Sequence, residues 1–527
     1  MPKILKWLND RNLNPNNELL KEAGVSKFNK ALQKAKTALT VFGPNTINRG
    51  GGVAYAAGPR MALYRQVATS LWSGDGYYEK KEEWFARFQE NVAAAIAEDV
   101  RFPFALAAYA RDKRGLALRS SPIALFVEAA SNKATKGTGL IRQYAPKVLR
   151  RADEPAEAIA YFRAHNTGVV PHGLLRGIQD ALRHFDEYQL AKYKESGAVS
   201  MRDVLRLARP KPKDEAERTL WGRAVARELE TPYTWEVELS KCATDDEKRA
   251  KWNELLASGQ LGVFALVRNL RNVIKYGADI EEALSQLTPE RVKGSGILPF
   301  QWYKAYKAVK EAAGAAVAEP LQAALEAALA DVPKLPGVTL VACDNSGSMS
   351  AVSQTRGMSN AEIGNLLGAL ALHVCDSGLA GTFGDSFALA HTNPRHDLFY
   401  NKAQIDKCGT TTGHSTNAWK VFEHLIRHNA RVDRVILLSD MQCYDSGARH
   451  APQAYMGHSL SAELEAYQKI NPRVTVYSIN LATQDNSCQF APNQPVVELA
   501  GWNESLFQFI SALEVGESIL DHININY

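Results

Sequence analysis

Val338-Thr339-Leu340-Val341-Ala342-Cys343-Asp344-Asn345-Ser346-Gly347-Ser348-Met349-Ser350 is the stretch whose reading decides the fold. Its first six residues are apolar and rich in β-branching, the pattern of a strand buried on both faces. The run stops at Asp344, where small and polar residues turn the backbone. A carboxylate and two hydroxyls, from Asp344, Ser346 and Ser348, thus stand at a strand's C-terminal edge, where open α/β sheets hold their ligands. The three alternate along the loop, so they can converge on one point, and Gly347 relieves the crowding. Oxygen-only donors suit a hard divalent cation, Mg²⁺ first, with Mn²⁺ or Ca²⁺ as alternatives.

Downstream of this stretch, strands and helices alternate. Strands are expected at 338–343, near 379–390 and 397–400, at 434–439 and at 473–481. Helices are expected at about 360–375, 416–428, 459–470 and 502–514. Such alternation implies a mostly parallel sheet covered on both faces. Arg434-Val435-Ile436-Leu437-Leu438-Ser439-Asp440 reads as a second buried strand ending in an acid, so Asp440 should share an edge with Asp344. Between them, Gly409-Thr410-Thr411-Thr412-Gly413-His414-Ser415-Thr416-Asn417 is a hydroxyl-rich loop opening a helix, and Thr416 can add a third neutral oxygen. The plainer reading makes Asp344 and Asp440 cap and turn residues. Gly384-Asp385-Ser386 lacks a nucleophile-elbow context and reads as a turn.

Upstream, Pro333 and Pro336 end a helix at about 312–330 and set a domain boundary, giving domains 1–335 and 336–527. The first domain is expected to be all-α, with a helix at 17–39, a glycine loop at Asn48-Arg49-Gly50-Gly51-Gly52, and many helices joined by short breakers. Helices without one bundle period fit a solenoid of stacked helix pairs.

The chain's 527 residues carry 46% hydrophobic and 23% charged residues, which argues against wholesale disorder. No apolar run is long enough to span a bilayer, and the basic N-terminus lacks the apolar stretch of a signal peptide. A cytoplasmic location, a monomer and no membrane contact are therefore expected. Six cysteines without CxxC spacing do not suggest a disulfide framework, and Cys343 reads as a small apolar filler. Charge is unevenly distributed: residues 1–335 hold 51 Lys+Arg against 39 Asp+Glu, and residues 336–527 hold 11 against 18. A basic first part suggests a polyanionic partner, or else a solvated surface with no ligand.

The basic residues cluster. One group is Lys133, Lys136, Arg142, Lys147, Arg150 and Arg151; another is Lys192, Lys194, Arg202, Arg206, Arg209, Lys211 and Lys213. In the second, Arg202, Arg206 and Arg209 share one helical face. Arg268, Arg271 and Lys275 form a third group, with spacings of three and four, again on one helical face. Basic stripes backed by apolar ones can present phosphate-binding charge, and the clusters together favour RNA. Tyr144, Tyr161 and Tyr193 offer stacking surfaces, or core.

Catalytic motifs are missing. There is no P-loop, no GxGxxG after a strand and no HExxH, and a phosphotransferase would want a second carboxylate where Ser346 stands. Binding is thus the expected activity, with no catalytic residue assigned.

Two resemblances follow. Asp344-x-Ser346-x-Ser348, then Thr416, then Asp440 resembles the metal-ion-dependent adhesion site of von Willebrand factor A domains. The likeness implies Ser346, Ser348 and Thr416 as direct ligands, the two acids held directly or through water, and one position open to an acidic ligand. Asn48-Arg49-Gly50-Gly51-Gly52, Leu175-Arg176-Gly177-Ile178, Lys192-Tyr193-Lys194, Arg202-Asp203-Val204-Leu205-Arg206-Leu207, Leu266-Val267-Arg268-Asn269-Leu270-Arg271 and Leu298-Pro299-Phe300 resemble landmarks of the TROVE domain. That domain followed by an A domain is the layout of the Ro ribonucleoprotein autoantigen family, with bacterial or phage-type members.

The resemblance implies a ring of HEAT-like helical repeats closed by the A domain. It also implies small noncoding Y-like RNA on a basic outer surface, single-stranded 3′ ends of misfolded or structured RNA in a central hole, and an exoribonuclease partner such as polynucleotide phosphorylase. The matching basic region is Lys192, Lys194, Arg202, Arg206 and Arg209, with Arg176 in its own motif. Where vertebrate members carry a histidine that matters for Y RNA binding, this chain has Met201. Two other readings stay open. One is a protein-interaction scaffold that captures an acidic partner through the metal site; the other is a metal-dependent RNA hydrolase at Asp344.

Overall fold

The structure is a computed structural model. It describes residues 46–69, 80–193, 198–293, 295–297, 299–330, 332, 334–350, 357–393, 395–447, 458–502, 505–513 and 518–527. The helix expected at 17–39 and the side chain of Lys194 lie outside these. The chain forms two compact units. One comprises Met1–Phe85, Val292–Lys307 and Ala318–His522; the other comprises Ala86–Arg291, Ala308–Val317 and Ile523–Tyr527.

The first unit opens with a hairpin of β1 (Thr46–Ile47) and β2 (Val53–Ala56). Its main sheet contains β3 (Leu335–Asp344), β4 (Cys375–Phe383), β5 (Phe387–Leu389), β6 (Arg434–Ser439) and β7 (Thr475–Asn480). β8 (Ser487–Cys488) pairs with β2, and β9 (Val496–Ala500) completes the main sheet in the order β5-β4-β3-β6-β7-β9. Every pairing in that sheet is parallel except the antiparallel edge strand β5.

Two-sided burial explains why the central strands show no alternation. Val338, Leu340 and Ala342 of β3 join a core with Val421, Phe422, Leu437 and Tyr467. On the opposite face, Cys343 meets the helix Asn360–Val374 so closely that a Cβ on Gly368 would lie 2.6 Å from its Sγ. Each buried Leu or Val here contributes about 1.5–3 kcal/mol, and the filler role expected of Cys343 is what the packing shows.

The second unit consists of stacked helices. Phe102–Arg111 packs on Ser120–Ser131 and Leu140–Val148, and Leu140–Val148 lies along His172–Leu182. Met201–Ala208 packs on Glu154–His165, His172–Leu182 and Glu215–Ala226. Ser200, Asp214, Thr234 and Thr244 each cap a helix by accepting an N3 backbone N–H, worth about 1 kcal/mol apiece. Gly177 permits the closest approach, since its Cβ would stand 3.0 Å from that of Ala145. Among the described residues no helix is long and apolar enough to cross a membrane.

Three local expectations are corrected. Residues 397–400 are not a strand: Asp397 caps the helix Leu398–Gly409, accepting the Tyr400 N–H at 2.6 Å, and this capping outweighs the β-propensity of Leu398-Phe399-Tyr400. The region before residue 330 is not purely helical, because β1 and β2 flank the glycine loop. The stretch 379–390 is two strands, β4 and β5, broken by the turn at Gly384-Asp385-Ser386, where the Gly384 N–H meets Ser386 O at 2.9 Å.

Candidate metal centre and cationic surface

β3 and β6 are parallel neighbours with Cys343 opposite Leu438, so Asp344 and Asp440 emerge at the same edge. Asp344 is held on both oxygens: Oδ1 accepts the Ser346 N–H at 2.8 Å, and Oδ2 accepts the Ser439 hydroxyl at 2.5 Å. Ser346 Oγ and Ser348 Oγ lie 3.2 Å apart. The loop carrying Thr416 is tied to both acid-bearing loops, through Gly347 N–H to His414 O at 2.8 Å and Tyr444 N–H to Thr416 O at 3.2 Å. Asp344, Ser346, Ser348, Thr416 and Asp440 are each no more than 3% exposed.

Asp440 is the member left incomplete. Its Oδ1 accepts the Gln442 N–H at 3.2 Å, whereas Oδ2 is buried without a hydrogen bond among the described residues. Burial pushes both carboxyls above the ordinary range. For Asp440 the charge of Asp344 adds to burial, and the Ser348 hydroxyl, close by but outside hydrogen-bond geometry, works against it. Two buried acids, an orphaned acceptor and three hydroxyls fit a hard divalent cation, which would satisfy that oxygen and offset the repulsion. No trio of His, Cys, Asp or Glu among the described residues could hold a metal; the candidate donor set here mixes carboxylates and hydroxyls.

The basic residues divide into neutralised and free. Arg142 makes a two-pronged pair with Asp180 at 2.7 and 2.9 Å, Arg150 meets Asp112 at 3.2 Å, and Lys147 donates to the Tyr527 carbonyl at 3.1 Å. Lys133, Lys136, Arg176, Arg206, Arg209, Lys211, Arg268 and Arg271 are exposed, with no carboxylate at ion-pair distance among the described residues. Lys192 is exposed over the Tyr188 and Tyr193 rings, and Arg202 is half-buried with its Nε unpartnered.

The packing groups some of the free cations. Gln179 Nε2 donates to Ala208 O at 2.5 Å, and Arg183 Nη2 donates to Lys211 O at 2.8 Å, fixing His172–Leu182 against the segment that carries Arg206, Arg209 and Lys211. Arg176 lies on that same helix. Lys133 and Lys136 sit on a separate turn, and Arg268 and Arg271 lie on Val263–Lys275, whose helical neighbour is Ile280–Ser285. The tyrosines offer less than their sequence positions suggest. Tyr144 is fully buried, Tyr161 donates to Glu128 at 2.8 Å, and the Arg151 guanidinium covers Tyr193 at 4.7 Å. Met201 is buried as well.

The fold is similar to that of a solved structure, the Ro (RSR) protein of Deinococcus radiodurans. The TM-score is 0.60 at 18% identity, over 87% of this chain and 99% of that one. A sequence model of the TROVE domain matches residues 220–326. The chain thus shares a segment similar to the TROVE domain and the fold of a solved Ro protein. A search of curated protein sequences gave no match.

The segment matched by the TROVE model carries Arg268 and Arg271, while Arg176, Arg206, Arg209 and Lys211 precede it. Three residues that support the candidate metal centre escape a motif reading. Ser439 orients Asp344, Gln442 holds Asp440, and Asn417 bonds Ser446 twice, at 2.8 Å each, beside Thr416. The signal for Ser439 was its place directly before Asp440 at the strand end; the other two have none in the sequence.

Proposed function

We propose that this chain is a non-enzymatic RNA-binding scaffold of the Ro/TROVE type. RNA phosphates engage the free cations Arg176, Arg206, Arg209 and Lys211, and a divalent cation, Mg²⁺ first, is held by Asp344, Ser346, Ser348, Thr416 and Asp440 in a von Willebrand factor A type site. The observation that carries the RNA reading is the grouping of exposed, unpaired cations on adjoining helices, next to arginines whose charge is already spent. With the family resemblance, it supports small noncoding Y-like RNA and structured RNA with single-stranded 3′ ends as ligands. An exoribonuclease partner and a cytoplasmic setting belong to the same reading.

The test is RNA affinity as a function of salt. Each phosphate contact to a single strand contributes about 0.7 to the slope of log K against log salt. Arg206→Glu with Arg209→Glu should lower affinity for a hairpin with a 3′ tail by at least tenfold and flatten the slope by about 1.4. Unchanged binding would remove this patch from the interface. A second reading, a scaffold for an acidic protein partner, is favoured by the orphaned oxygen of Asp440 beside a cation position. Chain purified from cells free of any nucleic acid would favour it.

A further inference from the structure

The turn 48–52 is far in sequence from the metal centre and packs directly against the loop that follows Asp440. Asn48 is 3% exposed. Its Nδ2 donates to Cys443 O at 2.7 Å and to Gln489 Oε1 at 3.1 Å, and its Oδ1 accepts the Gly52 N–H at 2.9 Å. The Gly50 N–H donates to Gln442 Oε1 at 3.3 Å. Contact is so close that a Cβ on Gly50 would fall 2.6 Å from Gln442 O, and one on Gly52 would fall 2.0 Å from Cys443 O.

The loop held in this way carries the site. Gln442 N–H is the hydrogen-bond donor to Asp440 Oδ1, and Tyr444 N–H fixes Thr416 O. Just before them Met441 adopts a left-handed backbone, φ 59°, a conformation that costs a non-glycine residue about 1–3 kcal/mol and persists only when neighbours over-determine it. Met441 N–H bonds Ser439 Oγ on one side, and the turn braces Gln442 and Cys443 on the other.

We infer that the turn 48–52 is a positioning clamp for the cation site, with Asn48 holding Asp440 and Thr416 in ligand geometry through residues 441–444. The inference rests on the cation reading of the site. Groups that orient metal ligands typically change affinity by about 10–100-fold when removed. Coupling is reciprocal, so a bound cation must tighten the clamp by the same factor by which the clamp tightens the cation.

The experiment titrates Mn²⁺, as probe, into the full chain by calorimetry and follows amide exchange at Gly50 and Gly52 with and without Mn²⁺. Asn48→Ala should weaken Mn²⁺ at least tenfold. Leu464→Ala, a core truncation in the same unit, should lower the melting temperature yet keep the wild-type Kd. Mn²⁺ should slow exchange of both glycine amides in the wild type. Wild-type affinity in Asn48→Ala, or exchange indifferent to Mn²⁺, overturns the clamp. Should Asn48→Ala fail to fold, Gln442→Ala removes the Gly50 bond from the other side and must weaken Mn²⁺ in its place. A wild-type chain that binds no Mn²⁺ overturns the cation reading and the clamp with it.

Discussion

Asp440→Asn isolates the electrostatics of the cation site while keeping its shape. The new Oδ1 retains the Gln442 N–H, held at 3.2 Å by the carboxylate, and the amide puts a donor where the orphaned Oδ2 stood, beside Ser348. In the cation-free chain, burial raises Asp344 and Asp440 above the ordinary aspartate value of 3.8. The folded state then binds more protons than the unfolded chain between that value and the raised ones, so stability is fully present below it and is lost as pH climbs through the folded pKa values. Each unit of displacement corresponds to about 1.4 kcal/mol, and an orphaned buried acceptor costs about 1–3 kcal/mol. In EDTA at pH 8 the variant should therefore exceed the wild type by about 2–4 kcal/mol, or roughly 4–16 °C at about 2–4 °C per kcal/mol. At pH 5 the difference should shrink. With cation at a hundredfold its Kd the wild type gains about 2.7 kcal/mol and the variant gains none. Thermal melts at the two pH values, in EDTA and in Mn²⁺, read all four quantities. A variant no more stable than wild type in EDTA at pH 8, or equally stabilised by Mn²⁺, refutes the reasoning.

Two further outcomes separate structure from binding. Arg142→Ala should leave RNA affinity within about twofold, because its charge is already matched by Asp180 and pairs of this exposure are worth about 0–1 kcal/mol; filter binding at two salt concentrations checks it. Gly177→Val should cost about 1–3 kcal/mol by overpacking against Ala145 and Ile141, lowering the denaturant midpoint of the helical unit without altering Mn²⁺ affinity.

The sheet was legible because burial on both faces writes itself as uninterrupted apolar runs, and Val338–Cys343 and Val435–Leu438 are such runs. The site followed from them, since parallel neighbours must deliver Asp344 and Asp440 to one edge. β9 was not legible: Val496-Val497-Glu498-Leu499-Ala500 is short and carries a charge, and its place depends on β7 alongside it. Nor was the hairpin around the glycine loop, because two- and four-residue strands carry too few side chains to show a period, and β2 is held by β8 more than four hundred residues away. The contacts that join the turn 48–52 to the loop after Asp440, Asn48 with Cys443 and Gly50 with Gln442, link residues nearly 400 positions apart, which no local pattern encodes. Basic clusters were visible, but not which members were spent: Arg142 and Asp180 are 38 positions apart.

That last distinction changes what the basic composition means. In the helical unit many arginines join one helix layer to the next. Arg111 pairs with the fully buried Glu154 at 2.7 Å, Arg119 with Asp153 at 2.5 Å, and Arg183 with Glu217 at 2.7 Å. Removing Arg111 takes the nearest charge from the fully buried Glu154. That acid keeps Arg119 at 3.9 Å and the Arg150 and Arg151 N–H groups, so the cost stays below the roughly 3–5 kcal/mol of a fully unpaired buried charge. These arginines raise the net charge without presenting it to a ligand. The charge that a polyanion could use is the remainder, part of which lies on His172–Leu182 and the segment packed against it that reaches Lys211. Under the proposed function, stability and RNA affinity fall to different arginines of one unit. Substitutions at Arg111 should lower stability, and substitutions at Arg206 should lower affinity with little effect on stability.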